Sequence, residues 1–212
     1  MILTIANIKG GVAKSTMAVC LATMAASEGA SVVIVDADDK GTSTDWGNAR
    51  SEDGVEPPIN VVGVMRQCAR TIAALAREYD LVVVDIGAGN KAVIKECAEI
   101  SNLVLLPCGP MQPEIARTVQ TLSLLQDVQV PVYVLLNRVA LHPRAKETQF
   151  VRRQFSDAGV RVFDAVLPRR KVWEATGNGL AIHEISGAGA AATEMRAVYD
   201  EVARRINEME AA

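Results

Sequence analysis

Eight consecutive residues near the start of the chain carry the most chemistry per position: Lys9-Gly10-Gly11-Val12-Ala13-Lys14-Ser15-Thr16. Glycines let a backbone curl until several amide N–H groups converge on one anion. A lysine just beyond them adds a full positive charge, and a neighbouring hydroxyl can ligand a hard cation such as Mg2+. This combination cradles nucleotide phosphates when it follows a strand and opens a helix. Both flanks read that way, since residues 2–7 are an apolar strand-like run and residues 14–27 are rich in Ala, Met and Leu. Gly10, Gly11, Val12, Ala13, Lys14, Ser15 and Thr16 are therefore the candidate phosphate-binding residues. Lys14 is expected at the β/γ-phosphates and Ser15 on the metal.

Carboxylates follow at two later strand ends. Val35-Asp36-Ala37-Asp38-Asp39-Lys40 closes an apolar run, and Leu81-Val82-Val83-Val84-Asp85 closes another. In open α/β sheets ligands bind beyond the carboxyl ends of the strands, so Asp36, Asp38 and Asp85 belong beside a phosphate loop. Ile86-Gly87-Ala88-Gly89-Asn90 comes next, and its glycines allow the backbone to swing toward a γ-phosphate and away again.

The elements that must hold these residues alternate along the chain. Strands are expected at 2–7, 31–36, 59–62, 81–85, 103–107, 130–137 and 160–166. Helices are expected at 14–27, from 63 to about 78, and at 92–100, 114–126, 146–157 and 191–209. Residues 47–58, with Gly47, Gly54, Pro57 and Pro58, read as a surface loop. The pattern predicts a single α/β domain over residues 1–212, a mostly parallel twisted sheet with helices on both faces.

Composition narrows the function. The 212 residues are 50% hydrophobic and 22% charged, which is globular. No apolar run reaches the ~20 residues a membrane span needs, and no signal-peptide pattern opens the chain, so a cytoplasmic protein is expected. Cys20, Cys68, Cys97 and Cys108 form no Cys-x-x-Cys pair and read as buried reduced thiols, and with only two histidines a zinc site is not expected. Net charge is −3, yet residues 138–171 hold nine basic and three acidic side chains. Charge asymmetry of this kind points to a polyanionic partner.

Lys9-Gly10-Gly11-x-x-Lys14-Ser15 resembles the deviant Walker A loop of the ParA/MinD family of P-loop ATPases. The departures are Ala13, where that loop usually has glycine, and Asp39-Lys40 in place of Pro-Gln in the second motif. The resemblance implies ATP and Mg2+ as cofactors. Lys9 becomes the signature lysine that reaches across an ATP-sandwich homodimer, Asp36 and Asp85 lie near the metal, and Asp38 positions the attacking water. Asn137 is implied to meet the adenine edge. Pro168 and Arg169 resemble the start of the late segment that closes over the base, with Gly179 and Ile182 in its tail. The final helix has a polar face of mixed sign, which fits packing on the body better than lying on lipid. The branch most resembled is the short ParA type. It implies ATP-driven dimerisation, sequence-independent DNA binding and hydrolysis stimulated by a small centromere- or cargo-binding protein, which together segregate plasmid or chromosomal DNA at the nucleoid and without a membrane. Arg152, Arg153, Arg170 and Lys171, with Arg204 and Arg205, are the candidate DNA contacts. Positioning of a protein cargo and a MinD-like membrane cycle are the alternatives within the family. A metabolic P-loop enzyme of the dethiobiotin-synthetase kind lies outside it, and Lys9 speaks against that.

Overall fold

The structure is a computed structural model that describes residues 1–142 and 145–210. Its centre is a parallel sheet. Strands β1 (Ile2–Ile5), β2 (Val32–Ala37), β3 (Asn60–Gly63), β4 (Leu81–Ile86), β5 (Leu103–Cys108), β6 (Val132–Val139) and β7 (Arg161–Val162) lie in the order β3-β2-β4-β1-β5-β6-β7. A short strand β8 (Leu167–Pro168) also pairs with β6, and every recorded pairing is parallel. β1, β2, β4 and β5 are buried at every position, as expected of strands covered on both faces.

Alternation along the strands sorts side chains between two cores. Leu3, Ile5, Ile34, Val83, Leu103 and Leu105 point to one face, against α1 (Lys14–Ser27) and α7 (Gly189–Glu210). Ile2, Val33, Val35, Val82, Val84, Val104 and Leu106 point to the other. There they meet α3 (Cys68–Leu75), α4 (Lys91–Glu99), α5 (Gln112–Leu124) and α6 (Lys146–Asp157). Each fully buried Val, Leu or Ile contributes roughly 1.5–3 kcal/mol, so the strand interiors alone dominate stability. α1 lies between the sheet and α7 and is buried from Met17 to Ala25, which explains its unbroken run of small and apolar residues. All four cysteines are free and buried. Among the described residues no helix is long and apolar enough to cross a membrane.

Three expectations need correction. Residues 47–58 are not one loop, because α2 (Thr42–Glu52) runs through Gly47. Its inner face is held by Trp46 and Arg50, one helical turn apart and both buried, and Gly47 lets the helix lie against Val61. A polar helix with an arginine as half of its inner face leaves no apolar periodicity to read. The helix expected to reach residue 78 ends at Leu75, and a hydrogen-bonded turn carries the chain to Tyr79. The expected last strand at 160–166 is two residues long, and β8 supplies the other edge pairing, next to an irregularity of β6 between Asn137 and Val139.

Candidate functional site

Parallel pairing brings the chemistry to one edge. In the strand register Asp85 of β4 lies opposite both Ile5 of β1 and Asp36 of β2. The loop that leaves β1 therefore passes directly over two carboxylates. In that loop Gly11 has φ 71° and Ala13 has φ 68°. Glycine adopts this left-handed conformation freely, whereas alanine pays roughly 1–2 kcal/mol for it. α1 starts with no side-chain cap and no acidic residue in its first turn, which leaves its first amides available to an anion. Gly10, Gly11, Ala13, Lys14, Ser15 and Thr16 line a cleft of about 270 Å³, with Asp38 and Lys40 across it. Val12 is buried beneath and contributes backbone only.

Lys14 is buried, and its Nζ donates to the Lys9 carbonyl at 3.4 Å. Burial pushes its pKa below the ordinary lysine value, while Asp85 and Asp38 pull it back. Lys9 is held by its backbone: its amide donates to Asn7 Oδ1 at 2.9 Å. Among the described residues its ammonium makes no hydrogen bond or ion pair.

The acidic cluster is held by the first turn of α2. The Thr44 amide and hydroxyl donate to Asp36 Oδ2 at 2.8 and 2.9 Å, and the Asp38 amide donates to Oδ1 at 3.1 Å. The Ser43 hydroxyl donates to Asp85 Oδ2 at 2.7 Å. Burial drives the Asp85 pKa upward, countered by the Ser15 and Ser43 hydroxyls beside it. Asp85 Oδ1 is buried without a partner. A buried, unpartnered carboxylate oxygen beside the Ser15 hydroxyl is a donor set that fits Mg2+, a cation that takes oxygen ligands and shares them with phosphate. Asp36 has both oxygens engaged within the chain, which makes it the less available of the two. Gly87 also makes room for Asp38, because a β-carbon there would lie 2.9 Å from Asp38 Oδ1 and 3.0 Å from its Cα. Asp38 rests on a glycine that cannot be replaced without moving it.

The cleft continues, past Ala13 and Thr16, into a second cavity of about 170 Å³. Its walls are Met17, Leu167, Pro168, Trp173 and Met195, with Asn137, Arg138, Arg169 and Arg170. Asn137 is buried, and its Nδ2 donates to the Val12 carbonyl at 2.7 Å, so it braces the phosphate loop. Its Oδ1 is buried and unpartnered, free to accept from a base amine. The segment after Pro168 forms the 3₁₀ helix Lys171–Gly177. Gly179 follows with φ 72°, pressed against the backbone of Arg50, and Ile182 is buried against α1. Arg50 fastens this segment, donating to Gly179 O and, through a two-pronged pair at 2.8 Å, to Glu184.

The basic segment is less free than its charge suggests. Arg170 makes a two-pronged ion pair with Glu194 at 2.6 and 2.8 Å. Arg152 donates to the carbonyls of Phe163 and Asp164. Arg138 is paired with Glu114. Arg204 and Arg205 share Asp164, Glu201 and Glu208. Arg153, Arg169 and Lys171 are exposed and carry no ion pair among the described residues. Arg144, counted in that segment, lies outside the described residues.

Sequence reasoning missed Asn7, Ser43, Thr44, Trp173 and Met195. Asn7 adjoins the loop and could have been found. Ser43 and Thr44 open a helix whose second half was read as loop, and the rest come from distant elements with no motif.

Comparison with known proteins places this arrangement. A ParA protein of Rhizobium radiobacter is 26% identical over 207 residues, covering 91% of each chain. A maintenance of carboxysome distribution protein A of Halothiobacillus neapolitanus is 24% identical over 211 residues, covering 94% of this chain and 95% of its own. The septum site-determining protein MinD of Pyrococcus horikoshii, solved with Mg-ADP, superposes with a TM-score of 0.72 at 18% identity over 95% of each chain. Residues 3–182 match the CobQ/CobB/MinD/ParA nucleotide binding domain, and the chain belongs to that family.

Proposed function

We propose that this chain is a ParA-type ATPase that dimerises on ATP, binds DNA without sequence preference and is released when a partner protein stimulates hydrolysis. The observation that carries the reading is Lys9. Its backbone is pinned while its ammonium makes no hydrogen bond or ion pair among the described residues, and it directly precedes the glycines that line the phosphate cleft. That fits a residue whose partner is a phosphate on the facing protomer. The loop amides and Lys14 would hold the β- and γ-phosphates. Ser15 and Asp85 would hold Mg2+, which supplies charge neutralisation when bound. Asp38 would orient the attacking water, and Lys9 would complete the partner's site as charge builds up. Asn137 Oδ1 and the Trp173 wall would take the adenine, with Pro168 and Arg169 at its rim.

The deciding experiment is size-exclusion chromatography and turnover with ATP against ADP, using Lys9→Ala and Asp38→Ala alone and mixed. Dimers with ATP alone, and activity recovered in the mixture, are expected. Monomers under all conditions would sink the reading.

For DNA, the exposed cations Arg153 and Lys171 are the favoured contacts, since Arg170 is already paired. Replacing both by alanine should flatten the salt dependence of binding by about one to two per monomer, and Arg170→Ala should leave it nearly unchanged. A gel-shift series in rising salt reads this directly. Equal binding with ADP would count against the surface. A second reading, positioning of a protein cargo at the nucleoid, is favoured by the carboxysome-distribution relative. Pull-down of the product of a neighbouring gene would separate the two.

A further inference from the structure

We propose that Thr121 of α5, acting with Asn7, is a positioning residue for Lys9, so that α5 sets how well the site turns over. The inference rests on the ATPase reading and goes further, naming what holds the signature lysine.

Three contacts fix the peptide groups around Lys9. The Lys9 amide donates to Asn7 Oδ1 at 2.9 Å, the Ile8 amide donates to Thr121 Oγ1 at 3.2 Å, and Lys14 Nζ donates to the Lys9 carbonyl at 3.4 Å. Asn7 is fully buried and its amide group is satisfied, Nδ2 donating to Pro107 O and to Thr118 Oγ1, each at 2.9 Å. Asn7 Oδ1 also lies 3.3 Å from Thr121 Oγ1.

Thr121 has two acceptors for its single proton, Asn7 Oδ1 and the nearer Arg117 O. Each threonine hydroxyl has one proton, and each lies within donating distance of its own helix, Thr118 at 3.0 Å from Glu114 O and Thr121 at 2.9 Å from Arg117 O. The lone pairs are then left for Asn7 Nδ2 and the Ile8 amide. Both threonines are fully buried on a helix whose other residues are mostly exposed or half-buried. Burying two hydroxyls is unfavourable unless they are paired, and a valine would pack the same space. What these hydroxyls satisfy is the backbone immediately before Lys9. A reacting group displaced by about 1 Å can lose on the order of a hundredfold in rate while substrate still binds.

The test is Thr121→Val and Thr121→Ser in the full chain, with ATP affinity and turnover measured separately. The valine variant is expected to bind ATP within about threefold of wild type and to turn it over at least about tenfold more slowly, and serine to restore turnover. Trypsin, without nucleotide, is expected to cut after Lys9 faster in the valine variant. Wild-type turnover in Thr121→Val would overturn the proposal. So would a parallel loss of affinity and turnover that serine does not restore. Should the valine variant not fold, hydrogen exchange on the wild type decides: the Ile8 and Lys9 amides should be protected well beyond those of Gly10 and Gly11, and equal exchange overturns the proposal. If wild type itself neither binds nor hydrolyses ATP, the ATPase reading fails. The trypsin and exchange measurements still judge the positioning.

Discussion

The two ends of the nucleotide cleft are built by opposite means. The phosphate end is polar, assembled from short segments that each follow a strand, and its carboxylates and hydroxyls are bonded to one another before any ligand arrives. The base end is an apolar cavity walled by Met17, Leu167, Trp173 and Met195, side chains that come from α1, β8, the 3₁₀ helix and α7. One end is a preorganised charge site whose strength is electrostatic. The other relies on shape, and on the proposed reading the orphaned Asn137 Oδ1 is the acceptor that selects the base. Affinity and discrimination therefore live in different parts of the molecule and can be perturbed separately.

The largest effect belongs to the phosphate end. Lys14→Ala removes a buried cation facing Asp85 and Asp38 and should weaken ATP binding by about a hundredfold or more in calorimetry. Retained affinity would mean that the base end dominates binding and would reverse the comparison. Next comes the acid cluster. Asp38→Ala should keep ATP and lower turnover by about 10²–10³-fold. Gly87→Ala should move in the same direction, because its β-carbon would press on Asp38 at 2.9 Å from Oδ1 and push the carboxylate aside. A Gly87→Ala protein with normal turnover would show that Asp38 need not sit where it does.

At the base end, Trp173→Ala should weaken ATP by about tenfold, in keeping with roughly 1–3 kcal/mol for stacking a base on an aromatic ring. Binding of inorganic triphosphate should not change, and an equal loss for both ligands would place Trp173 outside the base contact. The smallest effect sits where the two ends meet. Ala13→Gly relieves a left-handed alanine and should raise stability by about 0.5–1 kcal/mol in urea unfolding, the strain relief being partly offset by glycine's greater freedom in the unfolded chain. Lower stability would mean that the Ala13 methyl contributes more packing against the α1 core than its backbone loses.

The same division governs what could be read before the structure was known. The phosphate end was legible because its chemistry is local: glycines, Lys14 and Ser15 follow one strand, and Asp36 and Asp85 terminate two others. The base end was legible only at Asn137, Pro168 and Arg169. Trp173 and Met195 are ordinary apolar residues until the fold brings them together, and Arg50 disguised α2 by burying a charge where a helix normally buries a hydrophobe. The basic segment was legible as charge and illegible as surface, because Glu114 and Glu194, which pair with Arg138 and Arg170, lie in distant elements.

Arg50 carries a consequence for how sequences of this kind can diverge. Its guanidinium is buried and answered by the Glu184 carboxylate 134 positions away. Removing either partner alone strands a charge in the interior, at about 3–5 kcal/mol, whereas exchanging both for well-packed apolar residues is often close to neutral. Most single steps away from this pair lead through a protein too unstable to persist. Among descendants of a common ancestor, positions 50 and 184 should therefore be found either both charged or both apolar, with the mixed states rare.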